Sequence, residues 1–393
     1  MGIKVYHQCG HNTNWNIGSF EDGVGDGLIL SPVHAKLETI QKRKESIKEH
    51  SIFDPQYYLP NSQKAKLKSY PFFPETISDG FATQEFSLIA AESARQCVQF
   101  QIEQNFERLV IPARYFDQLE ADYCSRQDVY SVVPFLTALS EIEHNKPVYL
   151  TLPMTSHMIE REHYRTMLLN WATKHPQIDG VYVIVKHERN SKQVQSSEFL
   201  KAYLDFLSEL RNADLEVLVG FSNTESLLYS LIDDITVTFG AFENTRMFSE
   251  DVYIVTDEER RGPKPRIYLP GLLNWVQFSQ AKEIMDERPD IWKKIYTPTP
   301  EGDLKLSQAT EPHFSQPQLY KHSFKCLYGQ FRELDHLSPQ DRYGLLRGWI
   351  EIAMANYEEI KAMPMSVEKH GNEDHLQAWL DSISYYYRTH LKD

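Results

Sequence analysis

Titratable and hydrogen-bonding side chains gather where short β-branched runs end. They are His34, then Asp54 and Gln56, Arg114 and Tyr115, Lys186 with His187 and Glu188, Asn223, and finally Glu243, Asn244 and Arg246. Asp54 and Glu243 supply two carboxylates, and such a pair does general acid/base or nucleophilic work when burial and neighbouring charges separate their pKa values. Pro55 after Asp54 also fits an Asx turn, and Glu243 also fits a surface ion pair. Lys186 closes an apolar run, where desolvation would suit its amine to Schiff-base chemistry or an anion contact; the alternative is an ion pair with Asp54 or Glu188. Arg114 and Arg246 each offer a planar fork to a phosphate or carboxylate, or a structural clamp. The catalytic set expected is therefore Asp54, Glu243 and Lys186, with His34, Gln56, Arg114, Tyr115, His187, Asn223, Asn244 and Arg246 as substrate contacts. Tyr57, Tyr58, Tyr115 and Phe242 stand near enough in sequence to stack a base, or else to fill loops.

Other chemistries find no motif. His7-Gln8-Cys9-Gly10-His11 places three metal-capable side chains within five residues, but zinc needs further ligands at a second cluster, and none has the spacing. No metal and no cofactor are expected. The glycines between His11 and Gly27 do not form a dinucleotide or P-loop fingerprint, and no nucleophile elbow, kinase or deaminase pattern occurs.

Polar groups at strand ends imply strands that carry them. The candidates are Gly27–Pro32, Ile52–Asp54, Arg108–Pro112, Pro147–Leu152, Gly180–Val185, Glu216–Gly220, Asp234–Phe239 and Arg266–Leu269, with helical patterns between them. Ser197 to Arg211 sets Phe199, Leu200, Tyr203, Leu204, Leu207 and Leu210 on one helical face, as a crossover helix does, and Asn223 or Thr224 is placed to cap a shorter helix. Lys4–Gln8 is a ninth candidate, either a plug at the barrel bottom or the true first strand. Eight such units predict an α/β fold, a (β/α)8 TIM barrel with a C-terminal α-helical extension. The barrel domain is expected over 1–304 and the extension over 305–393, where Ser338-Pro339 opens a long helix and a final helix runs over about 373–390.

A formal charge of −14 argues against broad non-specific binding to phosphate backbones while leaving room for a local basic groove. The four cysteines are scattered, which fits a reducing cytoplasm rather than a disulfide framework. No apolar run approaches the roughly 18 residues of a membrane span, so no membrane partner is expected.

The stretch Val217 to Arg246 resembles the end of the tRNA-guanine transglycosylase barrel. Gly220, Thr224-Glu225, Leu227-Leu228, Asp234, Asn244 and Arg246 fall in that family's order, over about 30 residues. The resemblance implies base exchange at an N-glycosidic bond in nucleic acid. Two departures accompany it. The position of the family's nucleophilic aspartate holds Val237, and the cysteine cluster that binds its zinc is absent. The expected function is thus a transglycosylase-like barrel acting on a nucleobase or N-glycosidic bond of a nucleic acid or nucleotide, with the carboxylate role moved to Asp54 or Glu243. Two alternatives stand beside it. One is a catalytically altered barrel serving as a binding subunit in a nucleic-acid-associated complex, docking a protein partner through its Tyr- and Trp-rich C-terminal helices. The other is an unrelated hydrolase or lyase using Lys186.

Overall fold

The computed structural model describes residues 2–74, 84–118, 122–187, 192–256, 262–365 and 367–392, the stretch 84–88 as backbone only. Glu188 lies outside the described residues, as do Asp257 to Arg261.

Eight parallel strands form the barrel: β1 (Lys4–Gln8), β2 (Gly27–Leu30), β3 (Ser51–Phe53), β4 (Leu109–Ile111), β5 (Val148–Thr155), β6 (Gly180–Lys186), β7 (Glu216–Val219) and β8 (Ile235–Gly240). Their order is β3-β2-β1-β8-β7-β6-β5-β4, and an Ile52–Arg108 bridge spans the seam between β3 and β4. The expected (β/α)8 barrel is therefore present, with one change of membership. Lys4–Gln8 is its first strand, paired in parallel with β2 and β8. Arg266–Leu269 is not in the barrel; as β9 it pairs antiparallel with β10 (Asn274–Gln277) in a separate hairpin. The turn between them explains why: Leu273 takes φ +50°, which reverses the chain within four residues, too short for a helical crossover. Every barrel strand expected from Gly27 onward accordingly moves up one place.

β1 is hard to read because both its faces are buried and both carry polar groups. His7 packs against Phe239 of β8 and Phe324, its Nε2 donating to Val24 O (2.7 Å) and its Nδ1 accepting from Asn16 Nδ2 (3.3 Å). Tyr6 instead joins a polar plug at the strands' N-terminal ends. Its hydroxyl donates to Glu107 Oε2 (2.6 Å), and Arg108 donates to Tyr6 and to Tyr149, which in turn donates to Glu216. This plug belongs to stability, as the N-terminal face of such barrels generally does.

The crossover helix Ser197–Asn212 forms over the expected span, Ser196 Oγ accepting from Phe199 N at 3.1 Å. The expected cap at Asn223 or Thr224 does not form; the helix there is the single turn Ser226–Tyr229, and both side chains are used elsewhere. Beyond the barrel, Gln318–Asp335, Pro339–Lys361 and Leu376–Tyr386 are helices, Ser338 Oγ capping the second through Asp341 N (3.2 Å). Three of their aromatic residues bond to the barrel side. Trp379 donates to Val194 O (3.0 Å), Tyr386 bonds Ser208 (2.7 Å) and Tyr385 bonds Asp205 (2.8 Å). Barrel and extension share one continuous apolar core. Tyr343 and Trp349 of the second of these helices, and Tyr387 just after the third, are only partly buried. Among the described residues, no helix is long and apolar enough to cross a membrane.

Candidate functional site

The hairpin β9–β10 and the segment around His370 lie against the C-terminal ends of β6, β7 and β8. Between them is a cavity of about 370 Å³ lined by His187, Lys192, Asn223, Glu243, Arg246, Met247, Trp275 and His370. Phe221 leaves β7 with φ +50°, and this turn delivers Asn223 to the cavity wall. Asn223 Nδ2 donates to Lys192 O (3.1 Å) while its Oδ1 accepts from Trp275 Nε1 (3.3 Å). One amide thus ties the loops after β6 and β7 to the hairpin. Gln193 adds a second tie, donating to Asn274 Oδ1 (2.8 Å) and accepting from Thr224 (2.7 Å).

Positive charge concentrates here in a chain that is acidic overall. Arg246 is 7 % exposed and its guanidinium carbon lies over the Trp275 ring, 4.0 Å from the centroid. Lys192 contacts Glu243, and Arg266 contacts Glu368. Burial, then the Arg266 and Arg246 guanidiniums, push the Lys192 ammonium down to about 7, while the Glu243 carboxylate in contact opposes that loss. Burial and Arg246 lower Arg266 to about 10. His370 is lowered by burial and by Lys192 and Arg266 beside it, so it sits neutral at the rim. A buried cation cluster of this kind is unfavourable unless anions neutralise it, and the loops after β7 and β8 are where barrels commonly hold phosphate.

Of the expected site residues, His187, Asn223, Glu243 and Arg246 come together in this cavity. Asn244 shares the short turn Glu243–Thr245 without lining it. The others lie elsewhere. Asp54 is fully buried on the barrel axis, its Oδ1 accepting from Gln56 N (3.0 Å) in the Asx turn and its Oδ2 from Tyr58 (2.9 Å). Burial raises its carboxyl to about 7 against the pull of those bonds. Tyr58, Phe248 and Tyr253 meet edge to face above it, with ring centroids 5.1 and 5.4 Å from Tyr58, and close the barrel mouth. Gln8 Nε2 beneath this lid has no hydrogen-bond partner.

Gln56 is structural: with φ +57°, it accepts from Ser31 Oγ (2.9 Å) and Val33 N (3.2 Å). His34 is pushed down to about 4 by burial and by Lys66. Arg114 and Tyr115 line a separate cleft with Asn61, Asp117 and Glu250. Lys186 pairs with Asp117 (2.9 Å) and Glu250, not with Asp54; burial works to lower its ammonium, but the two carboxylates outweigh that and raise it. Such a lysine is held in its charged form, whereas Schiff-base chemistry uses the neutral amine. Tyr57, Tyr58 and Phe242 are engaged in packing, Phe242 against Trp15 and Tyr320.

Lys192, Arg266, Trp275 and His370 were not expected. Lys192 follows β6 closely enough for the strand-end rule to reach it, but Arg266, Trp275 and His370 arrive from outside the barrel, and no local pattern announces them. Comparison with known protein-family models and with curated proteins gives no match.

Proposed function

We propose that the chain is a barrel enzyme acting on a phosphate-bearing N-glycoside, a nucleotide or a nucleotide unit of nucleic acid. The observation that carries this reading is the convergence of Lys192, Arg246 and the Trp275 indole on one cavity at the ends of β6 to β8, with Arg266 close enough to act on both cations. A cavity of about 370 Å³ is of small-ligand size. Lys192 and Arg246 take the phosphate, Arg246 through its planar fork and Lys192 as a point charge. His187 and Trp275 bound the side where a base would lie. Glu243 is the carboxylate within reach of the sugar, where it would stabilise oxocarbenium charge as the glycosidic bond lengthens. Asp54 is set aside because the aromatic lid separates it from the cavity.

The test is calorimetric titration with nucleoside 5′-monophosphates, paired with chromatographic detection of released base. Binding that vanishes in Lys192→Met, with base release lost in Glu243→Gln, supports the reading. Absence of nucleotide and phosphate binding by the wild-type chain rejects it. A second reading, a barrel kept as a binding subunit, is favoured by Val237, fully buried between β1 and β7 where the transglycosylase family has its nucleophile. Tight nucleotide binding without any turnover would select that alternative.

A further inference from the structure

A groove between three helices is lined mainly by cations, although the chain as a whole carries a formal charge of −14. It lies where Pro339–Lys361 and Leu376–Tyr386 of the extension meet the crossover helix Ser197–Asn212, and it shares no lining residue with the cavity at the strand ends. Its volume is about 500 Å³, room for a few side chains. Leu380, Tyr387 and Arg388 reach it from the chain's last helical stretch at i, i+7 and i+8, one face of a helix, while Tyr343 and Arg347 reach it from the long helix at i and i+4. The Tyr343 and Tyr387 rings stack, with centroids 4.2 Å apart and planes 14° from parallel. Both remain half-buried, so the pair joins two helices and still offers surface to a ligand. Lys201 comes in from the crossover helix. Arg347 donates to Glu351 (2.8 Å), an exposed pair that holds it only weakly. Among the described residues, Lys201 and Arg388 take part in no ion pair.

We propose that this groove docks an acidic segment of a partner protein, with carboxylates on Lys201 and Arg388 and an apolar side chain against Leu380 and the tyrosine pair. The proposal stands apart from the reading of the cavity, since a barrel enzyme and a binding subunit can both dock a partner here. Charge complementarity selects an anionic occupant, and two features select a peptide over a nucleic-acid strand. A strand carries a phosphate at every step and runs on past the groove, where Asp381 in its wall, Glu351 beside it and an acidic chain oppose it within a Debye length of about 8 Å. A peptide places its charges singly and turns neutral where the groove ends. Leu380 and the two rings also give the groove an apolar wall, which suits a segment that mixes acidic and apolar side chains. Tyrosine and arginine are the residue types that protein interfaces enrich, because they add contact area and directional hydrogen bonds together.

The test is fluorescence anisotropy with two labelled probes, a peptide of glutamates around one phenylalanine and a hexathymidylate strand, on wild type, Lys201→Glu and Arg388→Glu. Thermal melting is the folding control, and the same peptide with lysine for glutamate is the charge control. The acidic peptide should bind wild type with micromolar affinity that weakens as salt is raised, and each charge reversal should weaken it about tenfold; the lysine peptide should not bind. Equal peptide affinity in wild type and in either folded variant overturns the proposal, as does no peptide binding to wild type. A strand that binds as tightly as the peptide or tighter, and is lost in the same variants, overturns it too and makes the groove a nucleic-acid path. None of these outcomes bears on nucleotide binding at the cavity, which both variants should retain.

Discussion

Replacing Asp54 by asparagine should change how stability depends on pH more than any other single substitution in the barrel. The carboxyl is fully buried and raised from 3.8 to about 7, burial outweighing the Tyr58 and Gln56 hydrogen bonds that favour its charged form. A folded-state pKa above the unfolded value means the native state keeps a proton that the unfolded chain releases. Stability from this group is therefore greatest in acid, is lost as pH rises from about 4 through about 7, and is level above that. A shift of roughly three units corresponds to about 4 kcal/mol across the full range, of which about 2–3 kcal/mol falls between pH 5 and pH 8. Asparagine keeps Oδ1 as the acceptor for Gln56 N–H, sets an Nδ2 donor against a Tyr58 hydroxyl that can turn to accept, and has no charge to desolvate. Asp54→Asn should thus be the more stable protein at pH 8, with the advantage shrinking toward pH 5. Urea unfolding followed by tryptophan fluorescence at four pH values measures it. His7, His34 and His375, which burial holds low, contribute the opposite slope, but they are common to both proteins and cancel in the difference. Parallel curves for wild type and variant would refute the claim that Asp54 is desolvated under the lid.

Three further outcomes follow from the same structure. Lys186→Met strands Asp117 and Glu250, both partly solvated, so it should cost only about 1 kcal/mol by thermal melting, yet speed amide exchange across 248–253; unchanged exchange would mean the bridge does not hold the lid. Gly220→Ala puts a Cβ 2.3 Å from the Tyr182 ring between β6 and β7, an overpacking that should cost about 1–3 kcal/mol in urea unfolding, and a neutral result would show that the ring yields. Trp275→Leu removes the surface under Arg246 and the donor to Asn223, so nucleotide affinity should fall about tenfold in titration while the melting temperature drops modestly; retained affinity would show that Arg246 needs no support.

The barrel was legible because its strands are short β-branched runs separated by amphipathic stretches, and that local pattern is enough to declare a parallel sheet. Membership of the barrel was not. Arg266–Leu269 reads as a strand and is one, but its partner is chosen by the turn at Leu273 and by β10, not by its own residues. Lys4–Gln8 reads ambiguously because His7 and Gln8 are polar and yet fully buried, so hydrophobic periodicity cannot see them. The strand-end rule reached His187, Asn223, Glu243 and Arg246 because a barrel's topology alone sends those residues to one face. It also put Asp54 and Lys186 on that face, where tertiary contacts then decided otherwise. Phe248 and Tyr253, about 200 residues downstream, cover the first, and Asp117 and Glu250 hold the second.

What separates this barrel from a generic one is where its open chemistry sits. The axial mouth, the usual location for reacting groups, is filled by Tyr58, Phe248 and Tyr253, so a tuned carboxyl at Asp54 lies where no solvent reaches. The cavity described above is displaced toward β6–β8, and part of its wall, Trp275 and His370, comes from beyond the barrel, with the Arg266–Glu368 pair beside it. The extension therefore does more than complete a core. Its helix Pro339–Lys361 braces the hairpin, Tyr357 bonding Asn274 (3.2 Å) and Gly371 O (2.7 Å), which fixes the register between Trp275 and His370. Loss of that helix should dismantle the cation cluster even if the eight strands stayed paired, and in that sense the ligand site belongs to the joint between barrel and extension rather than to either alone.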